Sequence, residues 1–134
     1  MAAIKPTVLH HVNFRAPEAL IRRLRDFYVD VVGLREGPLP HELGAVAYWL
    51  YLGETPVLHL NGAPMDHPGQ DASPRPTGWV DHIAFSCDDY AGARAHLDSL
   101  AIRYATNEIA SIGLQQIFLI DPAGLRVELN FFSH

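Results

Sequence analysis

Val8 to Phe14 carries a short strand pattern, with polar and apolar residues alternating from His11 to Phe14 at the period of two expected of a strand with one buried face. The period then lengthens. Leu20, Leu24, Phe27 and Val31 recur every three to four residues, which predicts an amphipathic helix over 18–31 closed by Gly33. An apolar strand over 46–52 and another over 57–61 follow. After residue 78 the order returns: a strand over 80–86, Asp88 as N-cap of a helix over 89–100, and strands over 114–120 and 126–132. Tyr90, Ala93, Leu97 and Leu100 give that second helix its apolar stripe. Between the halves, residues 62–78 hold four prolines and three glycines, a composition that breaks helix and strand alike.

The halves align residue by residue. The run Leu9-His10-His11-Val12-Asn13-Phe14 lies over Val80-Asp81-His82-Ile83-Ala84-Phe85, at an offset of 71, and Leu58-His59-Leu60-Asn61 lies over Val127-Glu128-Leu129-Asn130, at an offset of 69. His11 thus pairs with His82, and His59 with Glu128. The inferred architecture is α+β: two βαβββ modules within a single domain of residues 1–134, module one over about 7–61, a linker over about 62–78 and module two over about 79–133.

Composition narrows the function. Hydrophobic residues at 49% and charged residues at 19% argue for a packed core over disorder. Ten basic against fifteen acidic residues give a net charge of -5, the wrong sign for nucleic acid. The longest nearly apolar run, 45–52, has eight residues where a membrane helix needs ~20, so no membrane span is expected. Cys87 is the only cysteine and cannot form an internal disulfide. The first residues have neither a basic nor an apolar leader region, and a cytoplasmic protein is expected. Histidine is the unusual feature, with eight in the chain.

Strand alternation sorts these histidines. His11 shares a face with Leu9 and Asn13, His82 with Ala84 and Ser86, while Val12, Phe14, Ile83 and Phe85 take the face a helix would cover, with His10. Glu128 stands opposite Val127 and Leu129. An imidazole or carboxylate is costly to bury alone, but a divalent metal ion satisfies both, and two histidines with one carboxylate make a facial triad with open coordination positions. A lone histidine on a strand is more often hydrogen-bonded or solvated than a ligand; repeat position and strand parity together single out His11, His82 and Glu128. His59 is a possible fourth donor that a triad does not require. His41 and His67 lie in Pro-containing loops, His96 on a helix and His134 at the end, where solvated or structural roles are expected.

These residues resemble the vicinal oxygen chelate superfamily, which includes glyoxalase I, epimerases, fosfomycin-resistance transferases, extradiol dioxygenases and bleomycin-binding proteins. The resemblance covers nearly the whole chain and rests on LHHVNF, DFYVDVVGL, VDHIAF and, most specifically, DPAGLRVELN, where Asp121-Pro122-Ala123-Gly124 precedes Glu128. It implies paired modules forming a cupped mixed sheet around a metal site, with ligands at His11, His82 and Glu128. A glyoxalase I usually has a second glutamate at the position of His59, so the histidine is a departure. The metal, Fe, Mn, Ni, Zn or Co, is left open by this set of nitrogen and oxygen donors.

Departures from each branch bear on the reaction. Extradiol dioxygenases carry a tyrosine where this chain has Phe118 and a histidine where it has none between His96 and His134. Fosfomycin transferases use basic residues after the last ligand; here only Leu129 to His134 remain. Glyoxalase-type chemistry needs a polarising metal and a base, and Glu128 can serve as that base. The expectation is a metal-dependent lyase or isomerase acting on a small oxygenated substrate. The alternatives are a dioxygenase of the same superfamily, or a metal-free binding protein of the bleomycin-resistance type, which generally lacks these ligands. Asn13, Ser86, Trp49 and Tyr51 are candidate substrate contacts, although core packing is the favoured reading for the aromatic pair. Short members of the superfamily often pair modules between chains, and the Pro-rich linker favours an extended crossing. A homodimer is therefore expected, each site combining His11 and His59 of one chain with His82 and Glu128 of the other.

Overall fold

The computed structural model describes residues 5–41, 46–63, 80 and 82–133. Most of the linker, with His67, Asp81 and His134, lies outside the described residues. The chain divides into two compact units, residues 1–72 and 73–134. In the first, β1 (Val12–Pro17) leads into α1 (Glu18–Asp26), continued by a π-helical segment (Phe27–Val32), then β2 (Arg35–Gly37), β3 (Ala47–Leu52) and β4 (Thr55–Ala63). The second has β5 (His82–Ser86), α2 (Tyr90–Ser99), β6 (Ala105–Ile109), a 3-10 turn (Ala110–Ile112), β7 (Leu114–Ile120) and β8 (Arg126–Phe132). Each is a βαβββ module with one four-stranded mixed sheet, ordered β1-β4-β3-β2 and β5-β8-β7-β6. The parallel pairs are β1 with β4 and β5 with β8. Among the described residues, no helix is long and apolar enough to cross a membrane.

The helices cover the faces that alternation assigns to them. In the first unit Ile21, Leu24 and Tyr28 are fully buried together with Leu50, Leu58 and Leu60, and Phe14 approaches Tyr28 at 6.2 Å between ring centres. In the second, Leu97, Ile117, Leu119 and Val127 are buried and Tyr90 meets Phe131 edge-on at 5.4 Å. Each such apolar side chain contributes ~1.5–3 kcal/mol on leaving water. The first helix ends as expected at Gly33, whose φ of 98° would strain a side chain; the N–H groups of Gly33 and Leu34 both reach the Tyr28 carbonyl.

The structure departs from the sequence pattern at several ends. β1 begins at Val12, not Val8, and Val8 and Leu9 are 71% and 82% exposed. The reason lies in the partner strand: Val12 faces Leu58, and beyond it β4 carries an irregularity against Leu50/Tyr51 and then Pro56, which has no N–H to donate. The N-cap of α2 is Asp89, not Asp88; its carboxylate accepts from the Gly92 N–H at 3.0 Å from a left-handed backbone. The linker's first two residues, Gly62 and Ala63, belong to β4. A Cβ on Gly62 would lie 2.9 Å from Glu18 Cγ and 3.0 Å from Val46 Cβ, so only glycine lets the strand pass there. The short strands β2 and β6, which complete the module order, carry no apolar alternation of their own; β6 is exposed throughout.

The Asp121-Pro122-Ala123-Gly124 motif is the turn that closes β7 onto β8. Asp121 is 3% exposed, and its Oδ1 accepts from the N–H groups of Ala123 and Leu125 at 2.8 and 2.9 Å while its own N–H donates to the Leu125 carbonyl. Asp121→Ala strands one buried and one half-buried donor and is expected to cost on the order of 2 kcal/mol, read as a lower urea midpoint at unchanged slope.

Candidate functional site

Residues directly opposite on paired strands share a face, so register maps each sheet. On the face of the second unit turned away from α2, one cross-strand row is Ala105, Phe118, Glu128 and Ala84. The next is Asn107, Gln116, Asn130 and Ser86, and on the other side stand Ile120, Arg126 and His82. Glu128 thus has Phe118 and Ala84 directly opposite and polar side chains in the rows on either side. It is 9% exposed, and a carboxylate so buried needs partners. His82 Nε2 lies 3.5 Å from Glu128 Oε1, while Gln116 Nε2 and Asn130 Nδ2 each lie 3.5 Å from Oε2. The Arg126 guanidinium packs 4.2 Å above the Phe118 ring.

In the first unit the matching row is Asn13, His59, Trp49 and Gly37. His59 is sandwiched: its ring stacks on Trp49 at 4.2 Å and on His11 at 3.8 Å, with planes within 10°. Burial and the neighbouring His11 lower the pKa of His59, which keeps its imidazole neutral at pH 7. His59 Nε2 is buried without a hydrogen-bond partner among the described residues. A neutral imidazole with an unsatisfied nitrogen is a donor that a metal ion can use. Asn61 Nδ2 donates to Asn13 Oδ1 at 2.6 Å beside it.

The sequence-predicted residues therefore fall into two pairs: His11 touches His59 in the first unit, and His82 touches Glu128 in the second. Among the described residues no group of three or more His, Cys, Asp and Glu side chains stands together as a metal site. The donor set itself, imidazole nitrogens with one carboxylate, fits a borderline divalent ion, and the orphaned His59 Nε2 agrees with it. His10 is exposed. Lying before the strand, where alternation does not apply, it sits with Nδ1 2.9 Å from His11 Nδ1. Ser86 lies exposed at the edge of the Gln116 row. Tyr51 is committed to the sheet edge, its hydroxyl donating to the Pro38 carbonyl at 2.5 Å under the Arg35 guanidinium. Sequence reasoning missed Gln116, Asn107 and Asn130; strand parity with Glu128, two residues away, is the signal that could have found Asn130, while the run Leu114-Gln115-Gln116-Ile117-Phe118 has no alternation to mark Gln116. Burial, then Asp88, pushes the Cys87 thiol up, away from nucleophilic use.

No family model matches the chain, and no curated protein matches it in sequence. Solved structures do. A glyoxalase/dioxygenase from Nostoc punctiforme superposes with a TM-score of 0.73 at 20% identity, covering 100% of this chain and 99% of that one. A lactoylglutathione lyase from Agrobacterium tumefaciens gives 0.64 at 20% identity over 94% of each chain. A fosfomycin resistance protein from Listeria monocytogenes gives 0.66 at 10% identity, covering 98% of this chain and 96% of that one. At such identities the likeness is one of fold, and the resemblance read from the sequence holds at that level.

Proposed function

From the premise that this chain has the vicinal oxygen chelate fold, we propose that it is a metal-dependent enzyme of glyoxalase type, a lyase or isomerase acting on a small oxygenated substrate. The observation that carries the reading is the His82–Glu128 pair, a buried carboxylate whose Oε1 faces an imidazole nitrogen at 3.5 Å on a polar sheet face. His11, His82 and Glu128 would hold the divalent ion, with His59 as a fourth donor. When bound, the ion supplies Lewis-acid polarisation of neighbouring substrate oxygens. Glu128 takes the proton from the carbon beside the carbonyl and delivers that proton, or one exchanged for it with water, to the adjacent carbon. Asn13 and Ser86 offer hydrogen bonds to substrate oxygens, and Trp49 offers apolar contact. Each unit carries two of the four donors, and because the Pro-rich linker favours an extended crossing, the two halves of a site come from two chains of a homodimer. Phe118 stands opposite Glu128 without a phenolic proton, which disfavours the ring-cleaving alternative.

The test is proton exchange. A 2-hydroxy or 2-oxo carbonyl substrate turned over in deuterium oxide should gain deuterium at the carbon next to the carbonyl, and a chelator should stop the gain. Oxygen consumption stoichiometric with product, without exchange, would replace this reading by the dioxygenase one.

A further inference from the structure

Three side-chain amides beside Glu128 form a chain of uniform polarity. Asn107 Nδ2 donates to Gln116 Oε1 at 3.0 Å, Gln116 Nε2 donates to Asn130 Oδ1 at 3.1 Å, and Asn130 Nδ2 approaches Glu128 Oε2 at 3.5 Å. Gln116 Nε2 is equally far from that same oxygen. Each amide accepts at its oxygen and donates at its nitrogen, so the dipoles all run toward one carboxylate oxygen and reinforce one another. Gln116 is the central link and only 8% exposed. An apolar side chain would fill that place without needing partners, so an amide there calls for an explanation.

The internal repeat supplies one. At the offset of 69, Gln116 corresponds to Ala47, Asn130 to Asn61, and Glu128 to His59. The module that carries histidine has alanine in place of Gln116, and His59 Nε2 has no hydrogen-bond partner among the described residues. The amide chain thus occurs in the module that carries the carboxylate.

We propose that Gln116 is a positioning residue for Glu128: the chain from Asn107 engages Oε2, and Oε1 is left beside His82 as the working oxygen. This rests on the reading of Glu128 as ligand and base, and it adds the residue that decides which oxygen works. The first test needs no metal. In the 15N-labelled protein, Glu128→Ala should shift the side-chain amide resonances of Gln116 and Asn130 and speed their hydrogen exchange; unmoved resonances would overturn the proposal. The second test is cobalt(II) binding. Gln116→Met should weaken it ~10- to 100-fold, as loss of a group that orients a ligand does, and should alter the visible cobalt spectrum because Oε2 is released. Affinity and spectrum equal to those of the unaltered protein would overturn the proposal. Should Gln116→Met not fold, Asn107→Ala cuts the chain at an exposed strand and should move the spectrum in the same direction; an unmoved spectrum there counts against it. An unaltered protein that takes up no cobalt would reject the metal-dependent reading, and the amide resonances would still decide the role of Gln116.

Discussion

Glu128→Ala and His82→Ala are each expected to weaken divalent-metal binding by more than ~100-fold, beyond the ~10- to 100-fold range of changes made outside the direct ligands. The unaltered protein, purified without chelator, should carry about one ion per chain. Each substitution removes a donor atom outright, and ligand loss acts directly on the binding free energy. The measurement is metal content together with titration calorimetry for each variant and for His11→Ala. Tight one-to-one binding that survives all three changes would remove these residues as ligands. His59→Ala is the graded companion: a fall of only ~10- to 100-fold would mark His59 as orienting His11 through their stacked rings, and a larger fall would mark it as a donor.

Mixing two inactive variants should restore activity. If His11 and His59 of one chain serve the same site as His82 and Glu128 of another, His11→Ala and Glu128→Ala chains refolded together form heterodimers with one site fully intact and one doubly broken. Random pairing of two chains makes half the dimers mixed, so the recovered activity should approach about a quarter of the unaltered level. Either variant refolded alone should stay inactive. Heterodimers seen by mass spectrometry without recovered activity would place all four donors of a site in one chain.

Much of this molecule is written in local pattern. The spacing of Leu20, Leu24 and Phe27 marks the first helix, the left-handed φ of Gly33 ends it, and the alternation around Val12 and Phe14 tells which side of β1 packs against α1. The repeat that sets His59 over Glu128 is equally plain, because both sit on the last strand of a module whose order is used twice. Such features are legible because a side chain's face depends only on its own position along the strand.

Register and termination are another matter, since both depend on a partner strand far off in sequence. The retreat of β1 from Val8 to Val12 follows from the irregularity and Pro56 in β4, more than forty residues on. Asp89 takes the cap from Asp88 because its side chain reaches the Gly92 N–H, a matter of backbone conformation that two adjacent aspartates leave open. Gln116 reads in sequence as one more polar residue in an apolar strand. Only the Asp121 turn, by fixing which residues of β7 face which residues of β8, sets it against Asn130 and within reach of Glu128. Alternation determined that Glu128 and Asn130 share a face; the cross-strand ladder, a sum of non-local hydrogen bonds, decided that Gln116 joins them there.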